Sequence, residues 1–179
     1  MRGQNLHWVL FIDFRYLIPI YIILQKRFTM NWQQDQFLIT DDQSKFDMDY
    51  IFDFISNRSY WAAGIPYEVV KRSIEGSVAF GVFENDRQIG FARVITDCAT
   101  FGYLADVFID ENNRGKGLGK WLMETVMAHP KLQGLRGWML RTKDAHSLYE
   151  KYGFERVVDT SKLMAKFNPN VYAKKELGS

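Results

Sequence analysis

A glycine-rich segment between two stretches of regular structure constrains the fold of this chain more than any other feature. The apolar run from Thr100 to Ile109 predicts a strand, and the amphipathic pattern from about Gly117 to His129 predicts a helix. A second strand is predicted at Trp138 to Arg141, followed by a helix from about Ala145 to Tyr152. Strand, helix and strand in this order form a βαβ unit, so the two strands are expected to run parallel.

The residues before this unit predict further strands and two short helices. Asn85-Asp86 separates two apolar runs, which indicates an antiparallel hairpin. Apolar residues at helical spacing between Asp47 and Ile55 predict one helix, and Pro66 at a first helical position begins the other. The strands are expected at Phe37 to Thr40, Val78 to Phe83 and Ile89 to Ile95. We therefore expect an α/β fold with a mixed, mostly antiparallel sheet, one parallel βαβ crossover and flanking helices.

The composition restricts the class of protein. The chain has 179 residues, of which 47% are hydrophobic and 25% charged, and this composition suits one globular domain and excludes a disordered or collagen-like chain. The lone cysteine, Cys98, cannot form an intramolecular disulfide, which indicates a reducing compartment such as the cytoplasm. The net charge of +2 is too small to predict a nucleic-acid partner, and the three histidines are too scattered to predict a metal site.

The N-terminal residues interrupt this pattern. Leu6 to Leu24 is long enough to cross a bilayer. Two charges and a proline interrupt this run, however: Asp13, Arg15 and Pro19. A membrane protein is therefore not expected. The preferred interpretation is that the biological start is Met30, so that residues 1–29 are an apolar leader outside the native domain and residues 30–179 form the domain. An extra helix packed on the domain and a weak membrane anchor are the alternatives.

The segment between the strand and the helix has the properties of a diphosphate site. It reads Asn113-Arg114-Gly115-Lys116-Gly117-Leu118-Gly119-Lys120. Glycines let the backbone approach a ligand closely, and the unpaired N–H groups at the start of the following helix attract anions. The three cationic side chains add to this positive charge. The spacing fits neither a P-loop nor a dinucleotide-binding GxGxxG motif. A plain flexible turn is the alternative interpretation.

Two motifs in this half of the chain resemble the signatures of one enzyme superfamily. Arg114, Gly117 and Gly119 form the pattern Arg-x-x-Gly-x-Gly, and the segment from Ala145 to Phe154 has a tyrosine-bearing helix that ends in Gly-Phe. At this spacing, the pair resembles the GCN5-related N-acetyltransferase (GNAT) superfamily. The resemblance covers roughly residues 37–158 and is strongest from Leu104 to Phe154.

The resemblance implies a GNAT-like acyl-CoA N-acyltransferase fold, with acetyl-CoA as the co-substrate and no metal. It assigns the binding of the coenzyme diphosphate to the turn, namely Arg114, Gly115, Lys116, Gly117, Leu118, Gly119 and Lys120. It also implies that the end of the preceding strand, Val107, Phe108 and Ile109, hydrogen-bonds the pantetheine arm through its backbone. A merely buried strand is the alternative for these three residues, and both interpretations can hold together.

Two residues are candidates for the chemistry of acetyl transfer. The family register makes Tyr149 the acid that protonates the departing thiolate, or the residue that positions the thiol, with a core tyrosine as the alternative. Asp106 is the candidate general base because it is a carboxylate within the central strand; an aspartate that faces solvent or pairs with a lysine is the alternative. Tyr60 and Trp61 are expected either to line the acceptor pocket or to be packed aromatic residues.

These observations predict an N-acetyltransferase that moves an acetyl group from acetyl-CoA to a primary amine of a small molecule by direct attack. A protein lysine or N-terminal acetyltransferase is the first alternative. A non-catalytic acyl-CoA-binding sensor is the second alternative, and the presence of Tyr149 argues against it. The identity of the amine and the oligomeric state stay open, with a homodimer among the states that the sequence allows.

Overall fold

One six-stranded sheet organises the computed structural model, which describes residues 29–168 and 170–172. The strands lie side by side in chain order: β1 (Asn31–Gln34), β2 (Phe37–Thr40), β3 (Val78–Glu84), β4 (Arg87–Thr96), β5 (Phe101–Ile109) and β6 (Gly137–Leu140). Neighbouring strands in this part of the chain are antiparallel except β5 and β6, which are parallel. The mixed sheet with one parallel crossover is therefore confirmed. The predicted leader, apart from Thr29, lies outside the described residues.

Four α-helices of the described residues accompany the sheet: α1 (Met48–Asp53), α2 (Tyr67–Glu75), α3 (Leu118–Ala128) and α4 (His146–Tyr149). Asp47 caps α1, because its Oδ1 accepts a hydrogen bond from Tyr50 N at 2.9 Å. α1 continues as a turn of π-helix, Phe54–Arg58, so helical structure extends beyond the predicted end at Ile55. Pro66 is the N-cap of α2 instead of its first residue. None of these helices is both long and apolar enough to span a membrane.

Two further elements differ from the prediction. β1 has the sequence Asn-Trp-Gln-Gln and lies at the edge of the sheet, so it lacks the alternation of apolar residues by which a strand is recognised. The helix predicted from about Ala145 to Tyr152 consists of α4 and a short 3-10 helix, Glu150–Tyr152. Gly153 ends this segment with a φ of +80°, a conformation that glycine adopts at little cost.

The hydrophobic core consists of two buried clusters. One contains the inner side of α3, where Leu122 and Val126 are fully buried. The other contains the inner sides of α1 and α2, including the fully buried Ile51. Successive residues of β3 alternate between the clusters, since Ala79 belongs to the second and Phe80 to the first. The helices therefore pack on the two faces of the sheet.

A buried histidine joins the end of α3 to the β1–β2 hairpin. His129 is 1% exposed, and its Nε2 lies 3.1 Å from Asp41 Oδ2. The Nδ1 of His129 accepts a hydrogen bond from Lys131 N, which leaves Nε2 as the nitrogen that donates to Asp41. Met30 N donates to the other oxygen of the same carboxylate. Asp41 thus fixes the start of β1 and the end of α3 at one point.

Close packing around β4 yields a stability prediction. A Cβ added at Gly90 would lie 2.6 Å from Ile109 Cδ1 and 2.8 Å from the Phe108 carbonyl oxygen, so β5 would have to move. We expect Gly90→Ala to lower the free energy of unfolding by about 1–3 kcal/mol, as overpacking does. Gly119→Ala is the control, because nothing lies within 4 Å of its added Cβ. It should not lower the free energy of unfolding measured in urea, and equal losses in both variants would contradict this packing.

Candidate active site

β5 and β6 separate where β5 approaches the glycine-rich turn. Their pairing ends at Leu104 and Leu140, whereas β5 continues to Ile109 and pairs there with β4. One backbone edge of residues 105–109 is therefore not covered by β6. Val107, Phe108 and Ile109, predicted to contact a ligand through their backbone, lie on this stretch. An exposed strand edge of this kind can hydrogen-bond an extended ligand as if it were an added strand.

The side chains of these strand residues contribute to the core. Phe108 and Ile109 are buried, and Val107 is partly buried. The Phe108 ring stacks on Phe54 of the π-helix, with ring centroids 3.7 Å apart and planes 4° apart. Because the side chains pack while one backbone edge is uncovered, the buried-strand interpretation and the ligand-contact interpretation are compatible here.

A bulge interrupts the pairing of β4 with β5 on the same stretch. Phe91 pairs with Phe108 and Arg93 with Ala105, so two residues of β5, Asp106 and Val107, lie opposite Ala92 alone. Asp106 has a φ of +52°, a left-handed conformation that is uncommon for a residue other than glycine. Such a bulge turns the strand locally and redirects the peptide groups beside it.

The glycine-rich turn forms a cavity at the end of β5. Gly115 and Gly117 have φ values of +78° and +80°, and Gly117 is the N-cap of α3. Trp121 N donates the first helical hydrogen bond of α3 to Gly117 O, so the preceding N–H groups have no partner within the helix. The cavity measures about 240 Å³ and is lined by Ile109, Asn113, Arg114, Gly115, Gly117, Leu118, Gly119 and Lys120.

The three cations of the turn pair with glutamates on the surface. Arg114 Nη2 lies 3.4 Å from Glu111, Lys116 Nζ lies 3.5 Å from Glu84, and Lys120 Nζ lies 3.6 Å from Glu124. Exposed pairs of this kind contribute only about 0–1 kcal/mol each, so an anionic ligand can displace the glutamates. Arg114 Nε also donates to Ile109 O at 3.3 Å, which ties the turn to the end of β5.

Asn113 begins the glycine-rich segment, but no role was predicted for it from the sequence. It is 2% exposed, and its Nδ2 donates a hydrogen bond to Glu84 Oε2 at 3.1 Å. This hydrogen bond lowers the pKa of the Glu84 carboxyl, and the nearby Lys116 ammonium acts in the same direction. Asn113 therefore anchors the turn to the β3–β4 hairpin. Its position just before the Arg-x-x-Gly-x-Gly motif was the available sequence signal.

Tyr149 lies at the end of α4, in a largely apolar environment. It is 8% exposed, and the centroid of its ring lies 6.0 Å from the centroid of the Phe154 ring. Burial raises the pKa of Tyr149 to about 12, with smaller contributions from Tyr60 and Asp144. The 3-10 helix that follows α4 contacts the start of α3, because Tyr152 Oη donates to Lys120 O at 2.9 Å. This hydrogen bond holds the segment of Tyr149 against the glycine-rich turn.

The loop between the π-helix and α2, residues 59–66, reaches both sides of the site. Trp61 Nε1 donates to Asp106 Oδ1 at 2.8 Å. Tyr60 Oη accepts a hydrogen bond from Lys143 N at 3.1 Å, in the segment that leads from β6 to α4. The two aromatic side chains are exposed and contact each other edge to face. The structure thus brings Tyr60, Trp61 and Asp106 together.

Asp106 is enclosed by hydrogen-bond donors. Besides the Trp61 indole, the Arg93 guanidinium of β4 donates through Nε to Asp106 Oδ2 at 2.5 Å. The side chains of Arg93 and Asp106 are only 14% and 9% exposed. The partner of this carboxylate is thus an arginine on the neighbouring strand, which the sequence analysis did not single out.

A second, larger cavity of about 630 Å³ lies beside β6. Trp138, Tyr149 and Phe154 are among the residues that line it. The cavity forms between β6 and the residues that follow α4, including Gly153 and Phe154 of the second motif, and the sequence did not predict it. The described residues contain no group of three His, Cys, Asp or Glu side chains that could hold a metal ion.

Comparison with known proteins identifies a matching family and several relatives. Residues 75–156 match the acetyltransferase (GNAT) domain family. A candidate acetyltransferase of Gibberella zeae is 31% identical over 143 residues, which cover 68% of this chain and 80% of that protein. The crystal structure of a candidate GNAT-family acetyltransferase from Xanthomonas campestris pv. campestris is 44% identical, with a TM-score of 0.75. That match covers 79% of this chain and 99% of the other.

More distant structures share the fold. A GNAT-family acetyltransferase from Elizabethkingia anophelis, crystallised with acetyl-CoA bound, is 18% identical and has a TM-score of 0.52. The match covers 70% of this chain and 80% of that one. The motifs, the splayed parallel strands, the family match and the two closer relatives agree with one another. This chain belongs to the GNAT family of acetyltransferases.

Proposed function

We propose that this protein transfers the acetyl group of acetyl-CoA to a primary amine of a small molecule. One observation carries the proposal: the uncovered backbone edge of residues 105–109 leads directly to the cavity of the glycine-rich turn. An extended pantetheine arm fits such an edge, and a diphosphate fits a helix start with free N–H groups. The gap between β5 and β6 therefore suits the pantetheine arm of coenzyme A, and the turn at the end of β5 suits the diphosphate.

Residues of the turn are proposed to hold the coenzyme diphosphate. The N–H groups of Leu118, Gly119 and Lys120 at the start of α3 donate to its oxygens, and the cations of the turn exchange their surface glutamates for it. The acetyl-CoA-bound relatives from Elizabethkingia anophelis and Clostridium acetobutylicum, both with TM-scores of 0.52, share the fold that this assignment uses.

Tyr149 is proposed to assist departure of the thiolate. The amine nitrogen attacks the thioester carbonyl carbon, the C–S bond breaks, and negative charge develops on sulfur. With a pKa of about 12, the Tyr149 phenol stays protonated at neutral pH but is a weaker acid than the coenzyme thiol. Donation of a hydrogen bond to sulfur is therefore favoured over complete proton transfer from the phenol. The sulfur takes up its proton from solvent or from the amine.

The attacking amine must lose a proton, because an alkyl ammonium with a pKa of about 10.4 is almost fully protonated at neutral pH. Asp106 is proposed as the acceptor of this proton. Its two oxygens each accept one hydrogen bond, from Trp61 and Arg93. A carboxylate offers about four acceptor positions, so these two contacts leave room for a further one.

The proposed acceptor is a small molecule because a hydrogen bond crosses the site on the side of the 59–66 loop, where the amine would enter. The hydrogen bond between Lys143 N and Tyr60 Oη links the 59–66 loop to the segment before α4. Such a bridge limits access for a folded protein. The proposed location is the cytoplasm, since the exposed Cys98 is a free thiol and suits a reducing compartment.

Release of free thiol from acetyl-CoA tests this proposal. We expect release with members of a panel of polyamines and amino sugars. Release only with peptides would contradict the small-molecule acceptor and indicate a protein acetyltransferase. Binding of acetyl-CoA without release for any amine or peptide would contradict catalysis and indicate an acyl-CoA sensor.

The coenzyme assignment predicts the effect of a side chain at the helix start. Gly119→Val adds its side chain where nothing of the protein lies within 4 Å of the Cβ, so the fold should tolerate it while the ligand is displaced. We expect the Kd of coenzyme A, measured by calorimetry, to rise at least about tenfold, because the loss of one hydrogen bond to a charged group weakens binding by about this factor. Gly117→Val is a poorer test because its φ of +80° strains any valine.

Gly76→Val is the matched control for that experiment. Gly76 lies at the C-terminal end of α2, and its added Cβ meets Arg72 O at an ordinary 3.6 Å. The Kd of coenzyme A for Gly76→Val should equal that for the wild type. An unchanged Kd in Gly119→Val, with a native circular dichroism spectrum, would overturn the assignment.

The role of Tyr149 predicts a selective loss of rate. Tyr149→Phe keeps the ring and removes the hydrogen-bond donor, so kcat should fall about tenfold to a hundredfold while the Kd of acetyl-CoA changes little. Since the pKa of Tyr149 is raised to about 12, its ionisation lies above the range of pH 7–10. The pH–rate profile in that range should therefore keep its shape in the variant. Tyr67→Phe, on α2, is the control. A normal kcat with a lowered Tm in Tyr149→Phe would contradict a role in the reaction and indicate that Tyr149 is a core residue.

A further inference from the structure

The bulge at Asp106 requires something to hold it. A φ of +52° is uncommon for aspartate and is unfavourable unless local contacts compensate. The pairing of Arg93 with Ala105 and of Phe91 with Phe108 fixes the strand on either side of the bulge. The left-handed backbone conformation of Asp106 itself depends on the contacts that hold its carboxylate.

Arg93 holds the carboxylate from the neighbouring strand. Its Nε donates to Asp106 Oδ2 at 2.5 Å, and its Nη1 donates to Ser77 Oγ at 3.2 Å. Both members of the ion pair are largely buried. A buried carboxylate with this partner loses much of its stabilisation if the guanidinium is removed, so the side chain of Asp106 has one favoured position.

Trp61 holds the same carboxylate from the 59–66 loop. The indole can only donate, and its Nε1–H is directed to Asp106 Oδ1 at 2.8 Å. Trp61 is 42% exposed, so this hydrogen bond, instead of burial, holds its side chain in place. Its neighbour Tyr60 contacts the segment before α4, which leads to Tyr149. A chain of contacts therefore runs from β4 through Asp106 to the loop on the acceptor side.

We propose that Arg93 and Trp61 are positioning residues that act through Asp106. They fix the bulge that orients the peptide groups of β5, and they dock the 59–66 loop against the place where the acetyl group is transferred. This inference rests on the proposed function for the location of that place. It follows that acceptor turnover depends on both residues, whereas binding of the coenzyme diphosphate, at the other end of residues 105–109, does not.

Trp61→Phe tests the loop contact, because it keeps an aromatic ring and removes the indole donor. We expect kcat/KM for the amine to fall about tenfold to a hundredfold, the loss of a hydrogen bond to a charged group, while the Kd of acetyl-CoA stays within about twofold. Trp32→Phe is the control, since Trp32 lies on β1 at the opposite edge of the sheet and packs against Phe80 and His129. It should leave both quantities unchanged.

Arg93→Met tests the strand contact, with Arg72→Met on the exposed side of α2 as the control for lost charge. Arg93→Met should lower kcat/KM for the amine at least as much as Trp61→Phe does. Arg93→Lys keeps the charge and should recover part of the loss. A loss caused by general destabilisation would follow Tm, and Arg93→Lys would recover activity only in proportion to Tm.

Hydrogen–deuterium exchange tests the same contacts without any acetyl transfer. Amides of residues 59–66 should exchange faster in Trp61→Phe, where Arg93 still holds the bulge, and amides of residues 104–109 should exchange faster in Arg93→Met, each compared with wild type and the two controls. This measurement separates the inference from the proposed function, because it is interpretable even if no amine is acetylated. Unchanged exchange in both segments, or unchanged kcat/KM in Trp61→Phe of an active enzyme, would overturn the inference.

Discussion

The parallel pairing of β5 with β6 stops at Leu104 and Leu140, and the rest of the site depends on this separation. A peptide edge in a sheet is normally covered by the next strand about 4.8 Å away. Here β5 runs on for five residues towards the glycine-rich turn while β6 turns away into the segment before α4. The gap between β5 and β6 therefore has the backbone of residues 105–109 on one side and the segment of Tyr149 on the other. The start of α3 lies at its end.

Several side-chain contacts keep the gap between β5 and β6 in shape. The bulge at Asp106 changes the register of β4 against β5, and the side chain of Asp106 is held by Arg93 and Trp61. Asn113 anchors the turn to the β3–β4 hairpin, and the Tyr152 hydroxyl ties the 3-10 helix to the first turn of α3. These contacts come from elements far apart in the chain, and they meet around the end of β5.

The order of elements and the glycine-rich turn were predictable because both depend on local signals. Strand, glycine-rich turn, helix and strand follow one another between Phe101 and Leu140, and the hydrophobic spacing identified each of them. The exposed edge strand β1 lacks apolar alternation, and the π-helix prolongs α1 by a geometry that helical spacing does not distinguish. Asp106 was singled out as a carboxylate in a strand, but its partner Arg93 was not, since pairing across β4 and β5 depends on a register that the bulge changes. Trp61 lies 45 positions from Asp106 in sequence, so only the folded chain brings them together.

A crystal structure with coenzyme A bound tests the assignment of the gap most directly. We expect the pantetheine arm to form backbone hydrogen bonds with residues 105–109, and the diphosphate to lie within hydrogen-bond distance of the N–H groups at the start of α3. The sulfur should then lie near the Tyr149 hydroxyl. Coenzyme bound instead in the 630 Å³ cavity beside β6, with the edge of residues 105–109 uncovered, would contradict the assignment.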